Sequence, residues 1–145
     1  VYRYLLRNNE QGQGLISLKE ELNFIESYFH LLKTRYGDGI QLRMDGLKAY
    51  NEYRLPPLTM QVLVENAVKH NAILTDSPLR IDILIDNNRL IVQNNVQRKT
   101  TLIASNRVGL ANIAAKYRLL EADSIEIIDD SRLFTVRLPL IAPIH

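Results

Sequence analysis

The chain has 145 residues, of which 46% are hydrophobic and 23% are charged, and its formal net charge is +2. Such a length and composition predict one globular domain with a hydrophobic core. The absence of cysteine excludes disulfides, thiolate metal sites and cysteine nucleophiles, and it fits a reducing compartment. No apolar run approaches the roughly 20 residues that span a bilayer, and the small charge gives no argument for a nucleic-acid partner.

The first residues have a different character from the rest. Residues 2–8 have the pattern of a helix end, and residues 8–14 are a polar linker with two glycines. The chain opens on Val1 rather than on methionine. We therefore expect a piece of a longer protein, with residues 1–16 as the tail of a preceding region and residues 17–145 as the domain.

A helix is predicted to begin after Ser17 and to end at Gly37. Ser17 and Glu20 have the spacing of a capping box, and a glycine at a helix end can adopt the left-handed backbone that closes many helices. One face of this helix is apolar and has heptad spacing, with alternating steps of four and three residues: Leu18, Leu22, Ile25, Phe29, Leu32 and Tyr36. This apolar face either packs on its own domain or forms a seam with a dimer partner.

Alternation of apolar and polar residues predicts the strands. Three strands are expected at residues 40–44, 79–85 and 90–94, and the asparagines in residues 86–89 favour a tight hairpin turn between the last two. A terminal hairpin is expected over residues 124–140. Strands joined by tight turns are antiparallel.

Two further helices complete the pattern. Pro56 and Pro57 are predicted to open one that runs to about Leu74, since proline is tolerated in a first turn. The other is predicted to begin near Gly109, after a long connection over residues 96–108. The element order predicts an α+β two-layer sandwich, with a mixed, mostly antiparallel sheet and helices on one face.

The most informative stretch is residues 63–71, where polar side chains interrupt an apolar run. Glu65 and Lys69 are four residues apart, and so are Asn66 and His70, which places each pair on one side of a helix, one turn apart. A helix that only packs needs no such side chains, so this polar edge is predicted to face a ligand. A carboxamide that can bind a metal beside an amine that can meet a phosphate suggests a metal-nucleotide site.

Residues 55–66 resemble the asparagine box of LytS-type sensor histidine kinases. These kinases share an ATP-binding superfamily with gyrases, heat-shock chaperones and MutL-type repair proteins. Further matches occur in the family order: Glu21-Leu22-Asn23-Phe24-Ile25, Arg35-Tyr36-Gly37-Asp38, Asn94-Asn95, Gly109-Leu110-Ala111-Asn112-Ile113 and Lys116-Tyr117. The resemblance covers residues 15–141 and implies the superfamily fold, in which the nucleotide lies between helices and sheet under a mobile lid.

The resemblance implies a catalytic domain that uses ATP and Mg²⁺. It assigns Mg²⁺ to the side-chain oxygen of Asn66, acceptance of a proton to Glu65 and a phosphate contact to Lys69, with further hydrogen bonds from His70 or Asn71. Two structural alternatives stand beside these roles. The Asn66 side chain could bond nearby backbone, and Glu65 could form an ion pair with Lys69 worth only ~0.3–0.5 kcal/mol.

The second motif, which follows the asparagine box and contains Asn94-Asn95, departs from the family pattern. Asn94 stands where the family has an aspartate that binds the adenine amino group, and Val96 and Arg98 replace the glycines that follow. A carboxamide oxygen can still accept from that amine, although a charge-assisted bond is roughly twice as strong as a neutral one. The resemblance therefore implies an adenine contact by Asn94 and a narrower approach of backbone to base.

The third motif keeps part of the family's Gly-x-Gly-Leu pattern. Arg107 replaces the first glycine, whereas Gly109 and Leu110 are retained. A glycine that opens a helix lets backbone N–H groups meet a phosphate, and Arg107 adds charge there. The alternative is that Gly109 only caps a helix and that Arg107 is a solvated lid residue.

The resemblance also implies partners. In the full protein, a histidine on a preceding dimerisation helix would receive the γ-phosphoryl group and pass it to an aspartate on a response regulator receiver domain. None of His30, His70 and His145 lies in the family's phosphoacceptor context.

Residues 1–16 are therefore interpreted as the tail of the dimerisation and phosphoacceptor region with its linker, and residues 17–145 as the catalytic ATP-binding domain. The parent is expected to be a homodimer at the inner membrane, joined to this cytoplasmic domain through a missing N-terminal region.

Two other functions fit parts of the sequence. A degenerate, pseudokinase-like interaction module with weak or no ATP binding would explain the changes at Asn94 and Arg107. A DNA-associated ATPase of the gyrase or MutL kind is the third interpretation, but those proteins need a longer chain.

Overall fold

The computed structural model describes residues 14–97, 108–119 and 125–143. The predicted helix end at residues 2–8 and most of the connection over residues 96–108 lie outside these ranges. Two single-turn 3-10 helices, Gly37–Gly39 and Lys48–Tyr50, accompany the main elements. In chain order the described elements are β1 (Ile16–Ser17), α1 (Leu18–Tyr36), β2 (Ile40–Met44), β3 (Arg54–Leu55), α2 (Thr59–His70), β4 (Leu79–Asp86), β5 (Arg89–Asn95), α3 (Val108–Leu119), β6 (Glu126–Asp129) and β7 (Leu133–Pro139).

The main sheet has five strands in the order β2-β4-β5-β7-β6. The β2–β4 pair is parallel, with α2 in the connection between the two strands, and the other three pairs are antiparallel. The short strands β1 and β3 form a separate antiparallel ribbon that the sequence did not predict. The predicted α+β fold, with a mixed and mostly antiparallel sheet, is confirmed.

One face of the sheet and the facing sides of the helices form the hydrophobic core. Leu79, Ile81 and Ile83 alternate along β4 with more exposed residues, as a half-buried strand requires. Each fully buried aliphatic side chain of this kind contributes roughly 1.5–3 kcal/mol to stability. The largest fully buried side chains are Tyr117, Ile16, Leu18, Ile25, Ile40, Leu55, Met60, Leu79, Ile81, Ile83, Leu90 and Leu138.

Helix α1 begins and ends as predicted. The Ser17 hydroxyl accepts a hydrogen bond from the Glu20 N–H at 3.3 Å. The helix ends at Gly37, whose φ of 57° favours glycine and whose N–H donates to the Lys33 carbonyl. Leu18, Ile25 and Leu32 of the heptad stripe are buried in the core, and the other three residues of the stripe pack against it. The stripe therefore packs on its own domain, the first of the two alternatives.

The hairpin between β4 and β5 also matches the prediction. Asn87 and Asn88 have φ values of 52° and 62°, and they join Asp86 to its partner Arg89. Two consecutive positive φ values define the turn whose twist suits adjacent antiparallel strands. Asparagine adopts this conformation more readily than most residues, so the turn follows from the sequence.

Helix α2 is shorter than predicted at both ends. It begins at Thr59 rather than at Pro56 and Pro57, because Leu58 has a left-handed backbone with φ of 65° that breaks the helical path. It ends at His70 rather than near Leu74, because Asn71 is extended. Long-range contacts, described below, accompany both changes.

Candidate functional site

Helix α2 carries the predicted polar edge and lies against β4, β5 and α3. Its core side is buried through Met60, Leu63, Val64 and Ala67. The polar edge is more open: Lys69 is exposed, and Glu65, Asn66 and His70 are half-buried. The apolar residues thus bind α2 to the sheet, and the polar side chains along its edge keep contact with solvent.

Glu65 lies close to helix α1, where its charge acts on Tyr28. Its carboxylate accepts a hydrogen bond from the Gln61 side-chain amide at 2.9 Å. Burial raises the pKa of Tyr28 on α1, and the nearby charge of Glu65 raises it further, with a smaller effect from Tyr36. In the described part of the chain Glu65 forms no ion pair with Lys69, so that structural alternative was wrong.

Asn71 is buried, and its side chain bonds the protein's own backbone. Its amide nitrogen donates to the Ala67 carbonyl at 2.9 Å, and its carbonyl oxygen accepts from the Gln97 N–H at 2.7 Å. Asn71 therefore closes the end of α2 and ties it to the segment after β5. A ligand contact by Asn71 stays a prediction.

Gln97 strengthens the same connection. Its side-chain amide donates to the carbonyls of Ser77 at 2.8 Å and of Ala72 at 3.3 Å, and its side-chain oxygen accepts from the Ser77 hydroxyl. Its backbone carbonyl accepts from the Ala72 N–H at 2.7 Å. The segment after α2 is therefore fixed to the segment after β5 by several hydrogen bonds.

Asn95 adds a third carboxamide to this contact. Its oxygen accepts from the Arg80 N–H at 2.7 Å, and its nitrogen donates to the Pro78 carbonyl at 3.1 Å. We refer to Asn71, Asn95 and Gln97 as the carboxamide latch. The latch fixes the backbone that follows Asn94, where glycines would give conformational freedom.

Asn94 lies on the helix-covered face of the sheet. It pairs with Ile81 on β4 and with Phe134 on β7, so its side chain shares their face. Asn94 is 5% exposed, and its amide nitrogen donates to the Asn95 carbonyl at 2.8 Å. Because β5 contacts α2, the sheet brings Asn94 to the side of the sheet that α2 covers.

The third motif is described only in part. Gly109 lies in the first turn of α3, and Leu110 is half-buried against the core. Arg107 lies outside the described residues. Helix α3 packs beside α2, so Gly109 and the polar edge belong to neighbouring elements.

Sequence reasoning missed the role of Glu21. Its carboxylate is fully buried and accepts hydrogen bonds from the N–H groups of Leu58 at 3.3 Å and Met60 at 3.2 Å, at the start of α2. The available signal was its position, since Glu21 follows Leu18 by three residues and precedes Ile25 by four. An acid on an apolar helix face needs a partner when it is buried.

Two features are absent from the residues that the structure describes. Over residues 14–97, 108–119 and 125–143, no group of three or more histidine, aspartate or glutamate side chains could hold a metal ion. Over the same ranges, no helix is both long and apolar enough to cross a membrane.

Comparison with known proteins identifies the relatives of this chain. A family model described as Histidine kinase matches residues 1–40. The Sensor histidine kinase/phosphatase LytS of Staphylococcus aureus, in strains Mu50 and N315, is 33% identical over 101 residues, which are 65% of this chain. Over this stretch the chain is similar to the LytS-type sensor histidine kinases. The match spans 17% of the length of those curated relatives.

Solved structures of histidine kinases share the fold of this chain. The catalytic domain of histidine kinase ThkA superposes with a TM-score of 0.57 at 13% identity, covering 88% of this chain and 97% of that one. The cytoplasmic segment of histidine kinase QseC gives 0.56 at 14% identity, with coverage of 90% and 78%. Acinetobacter baumannii histidine kinase AdeS gives 0.52 at 13% identity, with coverage of 87% and 66%. At these identities the comparison shows the fold alone.

Proposed function

We propose that this chain is the ATP-binding catalytic domain of a two-component sensor histidine kinase. The observation that carries the proposal is the position of Asn66 and Lys69 on the open edge of α2, a helix that contacts the strand of Asn94. An oxygen ligand, a cation and a carboxamide on adjacent elements can meet the metal, the phosphates and the base of one nucleotide. The homology to LytS and the shared fold support the same conclusion.

The donor chemistry of the polar edge fits Mg²⁺. This ion prefers oxygen ligands, keeps several waters and is usually bound by one or two protein side chains together with substrate phosphates. Asn66 is half-buried and offers a carboxamide oxygen of the required kind. When bound, Mg²⁺ would neutralise charge on the phosphates, and Lys69, which is exposed beside it, would contact them directly.

The remaining residues divide the other tasks. Glu65 is half-buried and hydrogen-bonded to Gln61, which orients a carboxylate that could accept a proton from the attacking group. Asn94 would accept from the adenine amino group through its carbonyl oxygen, while its nitrogen is bonded to backbone. His70 is expected to add hydrogen bonds to the nucleotide, and the start of α3 at Gly109, with Arg107, to meet its phosphates.

We expect the phosphoryl acceptor to be a histidine other than the three in this chain, because none of the three lies in the family's phosphoacceptor context. His30 lies on an exposed part of α1, and His70 belongs to the polar edge. We therefore expect the γ-phosphoryl group to pass to a histidine elsewhere in the protein and then to a response regulator receiver domain. The homodimer that presents that histidine belongs to the same proposal.

The proposal predicts Mg²⁺-dependent nucleotide binding that needs Asn66. Calorimetric titration with a non-hydrolysable ATP analogue should show binding that strengthens with Mg²⁺. Asn66→Ala should lower the affinity in Mg²⁺ at least tenfold, about 1.4 kcal/mol, because it removes the oxygen ligand. Asn23→Ala is the matched control, since Asn23 is exposed on α1, and it should bind as the wild type does.

The same titration distinguishes the alternative function. A folded chain that binds no analogue at millimolar concentration would favour the pseudokinase-like interaction module. One feature of the described residues favours that alternative: Asn94 provides a neutral carboxamide where the family has a charged acceptor. Binding that is unchanged in Asn66→Ala would contradict the metal assignment even if a nucleotide binds.

A further inference from the structure

Glu21 is the one charged side chain among the buried polar residues of the described part of the chain. It lies in the first turn of α1, at 0% exposure. Its two carboxylate oxygens accept from two different backbone groups of another element, Oε2 from the Leu58 N–H and Oε1 from the Met60 N–H. A buried carboxylate is costly unless it is hydrogen-bonded, and the two bonds of this bridge contribute to satisfying it.

The bridge replaces a local cap that α2 lacks. Leu58, at the N-cap position, has a left-handed backbone and no side-chain oxygen to accept from the first N–H groups. The Thr59 hydroxyl donates instead to the Pro56 carbonyl at 2.7 Å. The first N–H groups of a helix need an acceptor and carry partial positive charge, and a carboxylate satisfies both conditions. Helix α1 therefore provides the cap of α2.

The carboxylate also lies near the third helix. Burial raises the pKa of Tyr117 on α3 well above its usual value, and the charge of Glu21 raises it further. The Tyr117 hydroxyl donates to the Pro139 carbonyl at 2.9 Å and is 1% exposed. Glu21 is thus close to the elements that carry the polar edge and the third motif, as well as to its own helix.

We propose that Glu21 is a positioning residue, which fixes α2 along and about its axis so that Asn66 and Lys69 meet the metal and phosphates. This inference rests on the proposed nucleotide-binding function. Asn66 lies six residues after Met60, or about 9 Å along the helix axis. Glu21 therefore acts through the helix rather than on the ligand, and a small rotation at the cap displaces the polar edge.

The test compares Glu21→Gln with Glu26→Gln. Both residues lie on α1, but Glu26 is exposed. Glutamine keeps the shape of glutamate and removes the charge and one acceptor oxygen. In the 145-residue chain, hydrogen exchange at the Leu58 and Met60 amides should become at least tenfold faster in Glu21→Gln and stay within twofold of wild type in Glu26→Gln.

A double-mutant cycle separates positioning from general destabilisation. The measured quantity is the ratio of affinities for a non-hydrolysable ATP analogue with and without Mg²⁺. Glu21→Gln should lower this ratio at least tenfold in the wild-type background and by less than twofold in the Asn66→Ala background, because the role of Glu21 passes through Asn66. Equal losses in both backgrounds, or unchanged exchange at Leu58 and Met60, would overturn the proposal.

If Glu21→Gln does not fold, the comparison is made between Leu58→Gly and Glu21→Gln/Leu58→Gly, since glycine relieves the strain of the positive φ at Leu58. If the wild-type chain binds no analogue, the proposed function and the positioning role fall together. If the wild type binds and Glu21→Gln binds equally well, the positioning role alone is overturned.

Discussion

Asp130 organises the turn between β6 and β7. One of its carboxylate oxygens accepts from the Arg132 N–H at 2.9 Å and from the Leu133 N–H at 2.7 Å. These backbone bonds, with that of Leu133 the larger effect, lower the pKa of Asp130 below its ordinary value. The folded chain thus favours the charged form of a fully exposed residue.

This shift predicts a pH-dependent contribution to stability. Because the folded pKa lies below the unfolded value of about 3.9, the contribution is fully present above that value and is lost as pH falls through the folded pKa. Asp130→Asn should therefore lower the Tm near neutral pH, and the difference from wild type should shrink as the pH falls below about 4. Thermal melts followed by circular dichroism measure it. Asp76→Asn, at another exposed site, is the control, and a Tm difference for Asp130→Asn that is constant with pH would contradict the account.

Individual residues also mark where sequence reasoning fell short. The Ser17 cap, the Gly37 end and the two turn asparagines depend on neighbours within a few positions, and all were predicted. The bonds of Asn71 to Gln97 and of Glu21 to Met60 span 26 and 39 positions. A local pattern contains no information about such partners, so Asn71 was interpreted as a ligand contact and Glu21 was given no role.

At the scale of elements, α2 is defined by what contacts its two ends. The carboxylate of Glu21 meets its start, and the carboxamide latch meets its end. Its apolar periodicity was visible in the sequence, but its bounds were not, because the left-handed Leu58 and the extended Asn71 depend on these distant contacts. The position of the polar edge therefore depends on both α1 and β5.

The latch can be tested at Gln97. Gln97→Ala removes the side-chain bonds to Ala72 and Ser77. A net value of about 0.5–1.5 kcal/mol for each hydrogen bond, reduced here by partial exposure, predicts a loss of about 1–2 kcal/mol in the free energy of unfolding. Urea denaturation measures the loss. Gln41→Ala, at an exposed position on β2, should change stability by less than about 0.5 kcal/mol, and equal effects of the two variants would contradict the role of the latch.

At the scale of the whole molecule, α2 contacts both of the other elements that carry described parts of the motifs, β5 and α3. The strand order places β5 at the centre of the sheet, α2 covers it, and α3 lies beside α2. The sequence predicted the element order and the fold class because apolar and polar residues alternate along β2 and β4 and apolar residues recur at helical spacing on α1. It did not predict the β1–β3 ribbon, whose strands of two residues are too short to show a period.

The central claim is that one nucleotide binds between α2 and the elements beside it. The most direct test is ¹H–¹⁵N NMR of the chain during titration with Mg²⁺ and a non-hydrolysable ATP analogue. The account predicts that the largest amide shifts fall in residues 65–71, near Asn94 and at Gly109 and Leu110. A folded chain with no shifts, or with shifts confined to the groove of about 420 Å³ beside Leu22, Met44 and Leu47, would contradict it.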